Sequence, residues 1–327
     1  DRTAFVAGIG SDDMGKKFTI GVLIGNVHTA HPKDLMRGIR AAASGMDVNV
    51  IYFLGTQSVR FNQKFALEDF DYQYNTVYDY AKLAKVDVLI IAYGSLCIFQ
   101  KNEDKQAFLD KFAGIPYVLL EDATDDPRGI YVMVDNFGGM QKCVEHLIIE
   151  HHLKHLVYLG GPEDNQDAIE RKAAFLNVMA EHHLPVTPEM MAVGDYSEFV
   201  DNLVEQLLKD NPDAEAIISA NDEMTVACYR VCKAHGLRIG KDILITGFDD
   251  VERARYSNPP LTTASQDAYK MGQIAVEKAV DICAGRPVES VRLDAELIIR
   301  ESCGCKEHEE RKKRQMRKQN CFILLMN

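Results

Sequence analysis

"AIISANDEMTVACYRV", residues 216–231, starts as an apolar run and sets Asn221 beside Asp222 before an apolar pattern resumes. The first four residues are isoleucine-rich, which suits a short strand buried on both faces of a sheet. Beyond the polar pair, Met224, Ala227, Cys228 and Val231 recur at i, i+3, i+4 and i+7, the spacing of one helical face. Asn221 therefore stands where a parallel strand hands over to a helix, and open α/β sheets bind ligands at such carboxyl ends. Asn is also a good N-cap, so capping the helix is an equal reading of this stretch.

The same alternation extends in both directions. Short buried strands are expected at 19–25, 48–54, 86–92, 115–120, 155–159, 214–219 and 243–246. Helical faces fall between them, with Gly38, Ile39, Ala42 and Ala43 in one, Leu203, Val204, Leu207 and Leu208 in another, and Ile274, Ala275, Ala279 and Val280 in a third. Strand and helix in turn predict parallel sheets joined by right-handed crossovers. So many units in 327 residues are better housed in two Rossmann-like, doubly wound α/β lobes than in one.

The last part of the chain breaks the rhythm. Residues 258–267, "NPPLTTASQD", carry two prolines and a threonine run, and Val291, Leu293, Ala295 and Leu297 alternate like an antiparallel strand. These stretches read as returns between lobes, which make a hinge and a cleft. The expected division is a leader at 1–17, an N-terminal lobe at 18–134 plus 266–286, a C-terminal lobe at 135–262 plus 288–302, and a charged connecting helix at 303–327.

Composition narrows the function. The chain is 46% hydrophobic and 26% charged, an ordinary globular balance. Its net charge of −12 would repel a phosphate backbone, so no nucleic-acid surface is expected within it. No apolar run approaches the roughly 20 residues a membrane span requires, and no secretory signal pattern opens the sequence. Eight cysteines without framework spacing read as reduced thiols in a cytoplasmic protein.

Familiar chemistries lack their residues. Gly21 and Gly25 do not give the G-x-G-x-x-G spacing of a dinucleotide fold. "ITGFDDVER", residues 245–253, places two acids after a strand but has no phosphate-cradling loop. His146, His151, His152, His155, His182 and His183 read as solvated helix ends, where a cationic ring favours the dipole. Without H-E-x-x-H or paired C-x-x-C, Cys303-Gly304-Cys305 is the remaining thiol pair that could hold a metal. No G-x-S-x-G elbow occurs. Neither a catalytic residue, a metal nor a cofactor is expected.

What remains is a set of polar groups at strand ends: Asn26, His28, Ser95, Glu121 and Asp122 in the first half, and Arg171, Tyr196, Asn221 and Asp249 in the second. Amide, carboxylate, guanidinium and aromatic groups together suit a polyhydroxylated or heteroaromatic small molecule.

"SANDEMTVACYRVCKAHGLRIGKDILITGFDDVERARYSNPPLTTASQD", residues 219–267, resembles the effector-binding core of the lactose-repressor and galactose-repressor family (LacI/GalR), the purine-repressor type in particular. The likeness extends more weakly over 18–299. It implies the periplasmic-binding-protein-like type I fold, two lobes joined by three crossovers that close on a sugar, nucleoside or purine-like effector, and a homodimer. By motif it implies that Arg171 of "AIERKAAF" clamps a hydroxyl or carboxylate, that Asn221 and Asp249 hydrogen-bond the ligand, that Tyr196 stacks on it, and that Gln266 is the crossover glutamine. "NVHTAHPKDL" departs from the D-x-x-N-P-F-F that such proteins show after the first strand.

These regulators reach DNA through a helix-turn-helix, which is not in this sequence, so operator binding would need a segment outside it. "ESCGC" followed by a charged stretch resembles sensory domains fused to output modules such as GGDEF-type diguanylate cyclases. Glu307 with Arg311, Glu309 with Lys313 and Glu310 with Arg314 form i, i+4 pairs that favour an exposed connecting helix. The expected function is a non-enzymatic, cytoplasmic small-molecule sensor of a bacterial transcriptional or signalling regulator. The alternatives are an enzyme using the same cleft, the sensor of a diguanylate-cyclase-type protein, and a secreted sugar-binding transport protein.

Overall fold

The computed structural model describes residues 17–56, 71–97 and 102–305. Residues 1–16 of the expected leader and 306–327 of the expected charged helix lie outside the described residues.

Five strands come first: β1 Phe18–Gly25, β2 Val48–Gly55, β3 Val88–Ile91, β4 Tyr117–Leu120 and β5 Gly129–Val134. Five more follow: β6 Leu156–Gly160, β7 Met191–Val193, β8 Ala216–Ser219, β9 Leu244–Asp249 and β10 Thr262–Ser265. Two short strands close the series, β11 Val291–Leu293 and β12 Glu296–Ile298. They form two six-stranded sheets, ordered β2-β1-β3-β4-β5-β11 and β7-β6-β8-β9-β10-β12. Every pairing in the first sheet is parallel, and in the second only β12 runs antiparallel, against β10. Both sheets thus begin with the 2-1-3-4-5 order of a doubly wound fold, which reverses direction between β1 and β3 and between β6 and β8.

The chain divides accordingly. One compact unit holds the described parts of 1–134, 164–166 and 267–293, and the other those of 135–163, 167–266 and 294–327. In the first unit, Ile20, Val22 and Ile24 of β1 and Val88 and Ile90 of β3 join one buried cluster, while Leu23, Leu89 and Ile91 join another on the opposite face. Successive side chains of a strand point to opposite faces, so apolar runs of this kind need cover on both sides. In the second unit Leu156–Leu159 and Ala216–Ile218 are likewise buried throughout.

Two placements differ from the sequence reading. Val291–Leu293 pairs parallel with β5, from Val291 beside Val132 to Leu293 beside Val134, so this stretch sides with the first unit rather than the C-terminal lobe. The alternation from 291 to 297 is two short strands in two sheets, and a period of two does not show which sheet edge each one takes. Gln266 groups with the second unit, where its side chain holds Asp249. No helix among the described residues is long and apolar enough to cross a membrane.

Helix packing in the first unit depends on two glycines. The helices Ala30–Ser44 and Ala268–Cys283 cross so closely that a Cβ on Gly38 would stand 1.9 Å from the Tyr269 carbonyl oxygen, and one on Gly272 would stand 2.4 Å from that of Leu35. Backbone is on the far side of both contacts, so neither can give way locally. Gly38→Ala should therefore destabilise the protein by about 1–3 kcal/mol, the range for overpacking, although Ala usually favours a helix. Gly45→Ala, whose Cβ meets nothing nearer than 3.6 Å, should be neutral or slightly stabilising. Urea unfolding of both variants checks this, and equal midpoints would refute it.

Candidate functional site

In the second unit the polar groups gather at the carboxyl ends of β8 and β9, beside the reversal in strand order. Asn221 is the N-cap of the helix Asp222–Ala234, and its Oδ1 accepts from the Met224 N–H at 3.0 Å. Its Nδ2 donates to the Tyr196 carbonyl at 3.2 Å. The capping role is thus real, and it also fixes the amide beside Tyr196. Gly161 makes room for that tyrosine, since a Cβ there would lie 2.4 Å from its ring.

Arg171, on the helix Gln166–Glu181, is only 2% exposed. Its Nε donates to Asn136 Oδ1 at 2.9 Å and its Nη1 to the Ala220 carbonyl at 2.7 Å. The guanidinium lies 3.8 Å from the centroid of the Phe248 ring, a cation–π contact. Asp249 stands 3.6 Å from Nη1 and Asp167 3.7 Å from Nη2, both too far for a hydrogen bond. Among the described residues Nη2 has no hydrogen-bond acceptor. Burial by itself would lower the pKa of this group, but Tyr196, Asp249 and Asp167 outweigh it and the charge is held more firmly than usual.

Asp249 ends β9 at φ 119 and is followed by Asp250 at φ 54, two consecutive non-glycine residues outside the usual backbone regions. Gln266 Nε2 donates to Asp249 Oδ1 at 2.5 Å, which tethers the carboxylate across from β10. Asp250 is held in turn by Arg300 at 2.5 Å and Arg255 at 3.1 Å. Such strain concentrates at binding sites, where surrounding contacts impose it.

Asp222 was not among the sequence candidates, and it organises this corner. Its Oδ1 accepts from the Thr263 hydroxyl at 2.7 Å and its Oδ2 from the Val251 N–H at 3.0 Å. Gly247 admits it, because a Cβ there would lie 2.2 Å from Oδ1. Burial first, and then the nearby Asp249 carboxylate, push the Asp222 carboxyl well above the usual range. The signal was present in the A-N-D motif, but Asp beside Asn at a helix start reads as a cap residue.

The first unit has its own set at the ends of β1, β3 and β4. Glu121, at φ 70 and 6% exposed, accepts from the Ser95 backbone N–H at 2.7 Å and the Ser95 hydroxyl at 2.5 Å through Oε2. Its Oε1 lies 2.6 Å from His31 Nε2. Asp122 accepts from the buried Lys105 ammonium at 2.7 Å. Asn26 turns the chain at φ 49 and its carbonyl accepts from the Thr29 N–H. His28 is exposed, and the histidine that reaches a carboxylate here is His31, the second residue of the helix Ala30–Ser44 and absent from the sequence candidates.

The reading of the later histidines as solvated ends also needs correction. His152 is exposed and His155 pairs with Asp213 at 2.8 Å, but His146 is 7% exposed and His151 half-buried, because the helix carrying them packs against the segment holding Cys303 and Cys305.

The Glu121 cluster sets a pH dependence. Burial alone would raise its pKa, but the His31 charge and the hydrogen bonds from His31 and Ser95 outweigh this and hold the carboxyl below its ordinary value of 4.5. The unfolded chain then binds a proton more readily, so the stabilisation is present above about 4.5 and is lost as pH falls through the folded value. His31→Ala should cost about 1.5–3 kcal/mol at neutral pH, as expected for a hydrogen bond to a charged group. The gap from the parent protein should shrink under acid in urea titrations. A gap unchanged down to the acid transition would show that His31 does not tune Glu121.

Comparison with known proteins fits this geometry. The family model of the periplasmic binding protein-like domain matches residues 144–303. The HTH-type transcriptional regulator CelR of Thermobifida fusca is 30% identical over 216 residues, 63% of this chain and 62% of that protein. The HTH-type transcriptional repressor PurR of Aliivibrio fischeri is 29% identical over 198 residues, 59% of this chain and 56% of that one. The chain thus spans about three-fifths of the length of these relatives. The structure of the transcriptional regulator CelR–cellobiose complex superposes with a TM-score of 0.72 at 22% identity, covering 88% of this chain and 85% of that chain, which speaks to the fold. The chain therefore has the periplasmic-binding-protein-like type I fold, and over about three-fifths of its length it is similar to HTH-type transcriptional regulators.

Proposed function

We propose that this chain is the small-molecule-sensing core of a bacterial, cytoplasmic transcriptional or signalling regulator, non-enzymatic, working as a homodimer and answering to a sugar, nucleoside or purine-like effector. DNA would be reached through a helix-turn-helix elsewhere in the whole protein, or the signal passed to another output domain. The observation that carries this reading is Arg171. A guanidinium buried at the strand ends, with an Nη2 that finds no acceptor among the described residues, is matched by a ligand hydroxyl or carboxylate.

In the second unit we assign Asn221, Asp249, Tyr196 and Gln266 to the ligand alongside it, and in the first unit Asn26, His28, Ser95 and Asp122. Amide and carboxylate groups pair with vicinal hydroxyls, and the Tyr196 ring offers a face to a sugar or a base. The relatives are named as regulators, and one neighbour holds cellobiose, which puts β-linked disaccharides first among the candidates. In the first unit the order is histidine, carboxylate, serine, so Ser95 bonds a carboxylate of lowered basicity rather than an imidazole. That arrangement supports positioning rather than nucleophilic attack.

A thermal-shift screen with cellobiose, other disaccharides, hexoses, nucleosides and purines tests the assignment. A ligand at 100 times its Kd should add about 2.7 kcal/mol of stability. Asp249→Ala should then cost about 2–4 kcal/mol of affinity with the fold retained. Asn221→Ala should lower stability by about 1 kcal/mol as well, through the lost cap. A flat screen, or an Asp249→Ala variant that binds as tightly as the parent, would refute the proposal.

A further inference from the structure

Four side chains of the second unit converge away from the strand-end groups. His146, His151, Cys303 and Cys305 each bring one ligand atom to within 4.8 Å of the other three. Nε2 of His146 lies 3.3 Å from Cys303 Sγ and 3.7 Å from Cys305 Sγ, and Nε2 of His151 lies 3.3 Å from Cys305 Sγ. Zinc bonds of about 2.0–2.1 Å to imidazole and about 2.3 Å to thiolate, arranged tetrahedrally, set nitrogen and sulfur about 3.5 Å apart. The three distances straddle that edge.

Both halves of the cluster are built by unusual backbone. The helix Asn136–Glu145 continues into the π-helical turn His146–Glu150. On an α-helix, residues five apart point about 140° away from each other. The wider i→i+5 turn, a feature frequent at functional sites, returns His151 to the side of His146. Their rings meet edge to face with centroids 5.0 Å apart. On the other half, Ser302 is tied to β9 and β10: its hydroxyl donates to the Ile245 carbonyl at 2.6 Å, and the Thr262 N–H donates to Ser302 Oγ at 2.8 Å. Gly304 follows at φ 80, a conformation open to glycine, and lets the two flanking thiols turn the same way.

The surroundings suit thiolate ligands. Cys303, Cys305 and His146 are buried, and the Thr262 hydroxyl donates to Cys303 Sγ at 3.1 Å while accepting from the Arg300 N–H at 2.9 Å. A hydrogen bond to a ligating sulfur is the usual outer support of a metal site. Cys303 Sγ also lies 3.4 Å from the Arg300 carbonyl, a partner for the thiol when it is protonated.

We propose that His146, His151, Cys303 and Cys305 form a closed, tetrahedral site for a borderline-soft divalent metal, zinc above all, that fastens the end of the helix to residues 300–305. Two nitrogens and two sulfurs exclude calcium and magnesium, which take oxygen ligands, and four protein ligands leave no open position for catalysis. Both thiols bind as thiolates, so each metal ion that enters releases two protons to solvent.

Anaerobic titration of the full, reduced chain with Co²⁺ tests the site. The expected result is one equivalent bound per chain, with intense thiolate-to-cobalt charge-transfer absorption and tetrahedral d–d bands that Zn²⁺ displaces. Cys303→Ser and Cys305→Ser should each weaken binding at least tenfold and diminish the charge-transfer band. Thr262→Val should weaken it about tenfold, and Cys283→Ser, in the first unit, should change nothing. If a cysteine variant fails to fold, the parent spectrum still decides. Absent uptake, a weak octahedral spectrum without charge transfer, or a Cys303–Cys305 disulfide in protein kept reduced would each overturn the proposal.

Discussion

A single buried cation governs the second unit. Leaving the Arg171 guanidinium unpaired inside protein would cost more than the 5–15 kcal/mol by which a typical domain is stable. Its partners come from separate elements: Asn136 opens one helix, Asp167 sits a turn earlier on its own, Ala220 follows β8, and Phe248 and Asp249 end β9. All of them reach the guanidinium only if β8 and β9 stand in register and the two helices start where they do. The charge therefore checks the fold at the place where the sheet changes direction.

The first unit meets the same constraint with the opposite sign. Its buried charge is the Glu121 carboxylate, held by two bonds from Ser95 and by His31, and Gly94 is needed because a Cβ there would lie 2.6 Å from Glu121 Cβ. The adjoining Asp122 is neutralised by Lys105. Ionised groups fixed in this way are costly to assemble, but their orientation is set by the fold itself. Preorganisation of this kind lowers the ordering cost of binding.

Much of this was legible in the sequence. The apolar runs of β1, β3, β4, β6 and β8 announce strands covered on both faces, and the A-N-D and G-F-D-D motifs mark the ends of β8 and β9. β5 escaped because its first half is only partly buried and begins with a glycine that packs under the Tyr117 ring. That His31 reaches Glu121 was hidden because it depends on helix phase relative to a carboxylate ninety residues away. The π turn was hidden for a similar reason: nothing in "HLIIEH" announces an i→i+5 turn, so His146 and His151 looked like unrelated surface residues. Residues brought together over long sequence separations leave no local periodicity to read.

The two carboxylates at the ends of β8 and β9 show how close-set acids come to do different work. Asp222 is enclosed by Gly247, Thr263 and Val251, and burial together with the charge on Asp249 drives its carboxyl upward, so it shapes the turn. Asp249 accepts a hydrogen bond from Gln266 and stands 3.6 Å from the Arg171 guanidinium. One acid thus lies enclosed under the turn, and the other stands at the strand end, held there by a strained backbone. A ligand hydroxyl that bonds Asp249 would draw on the same carboxylate that Gln266 holds, on the strand leaving the unit toward residue 267.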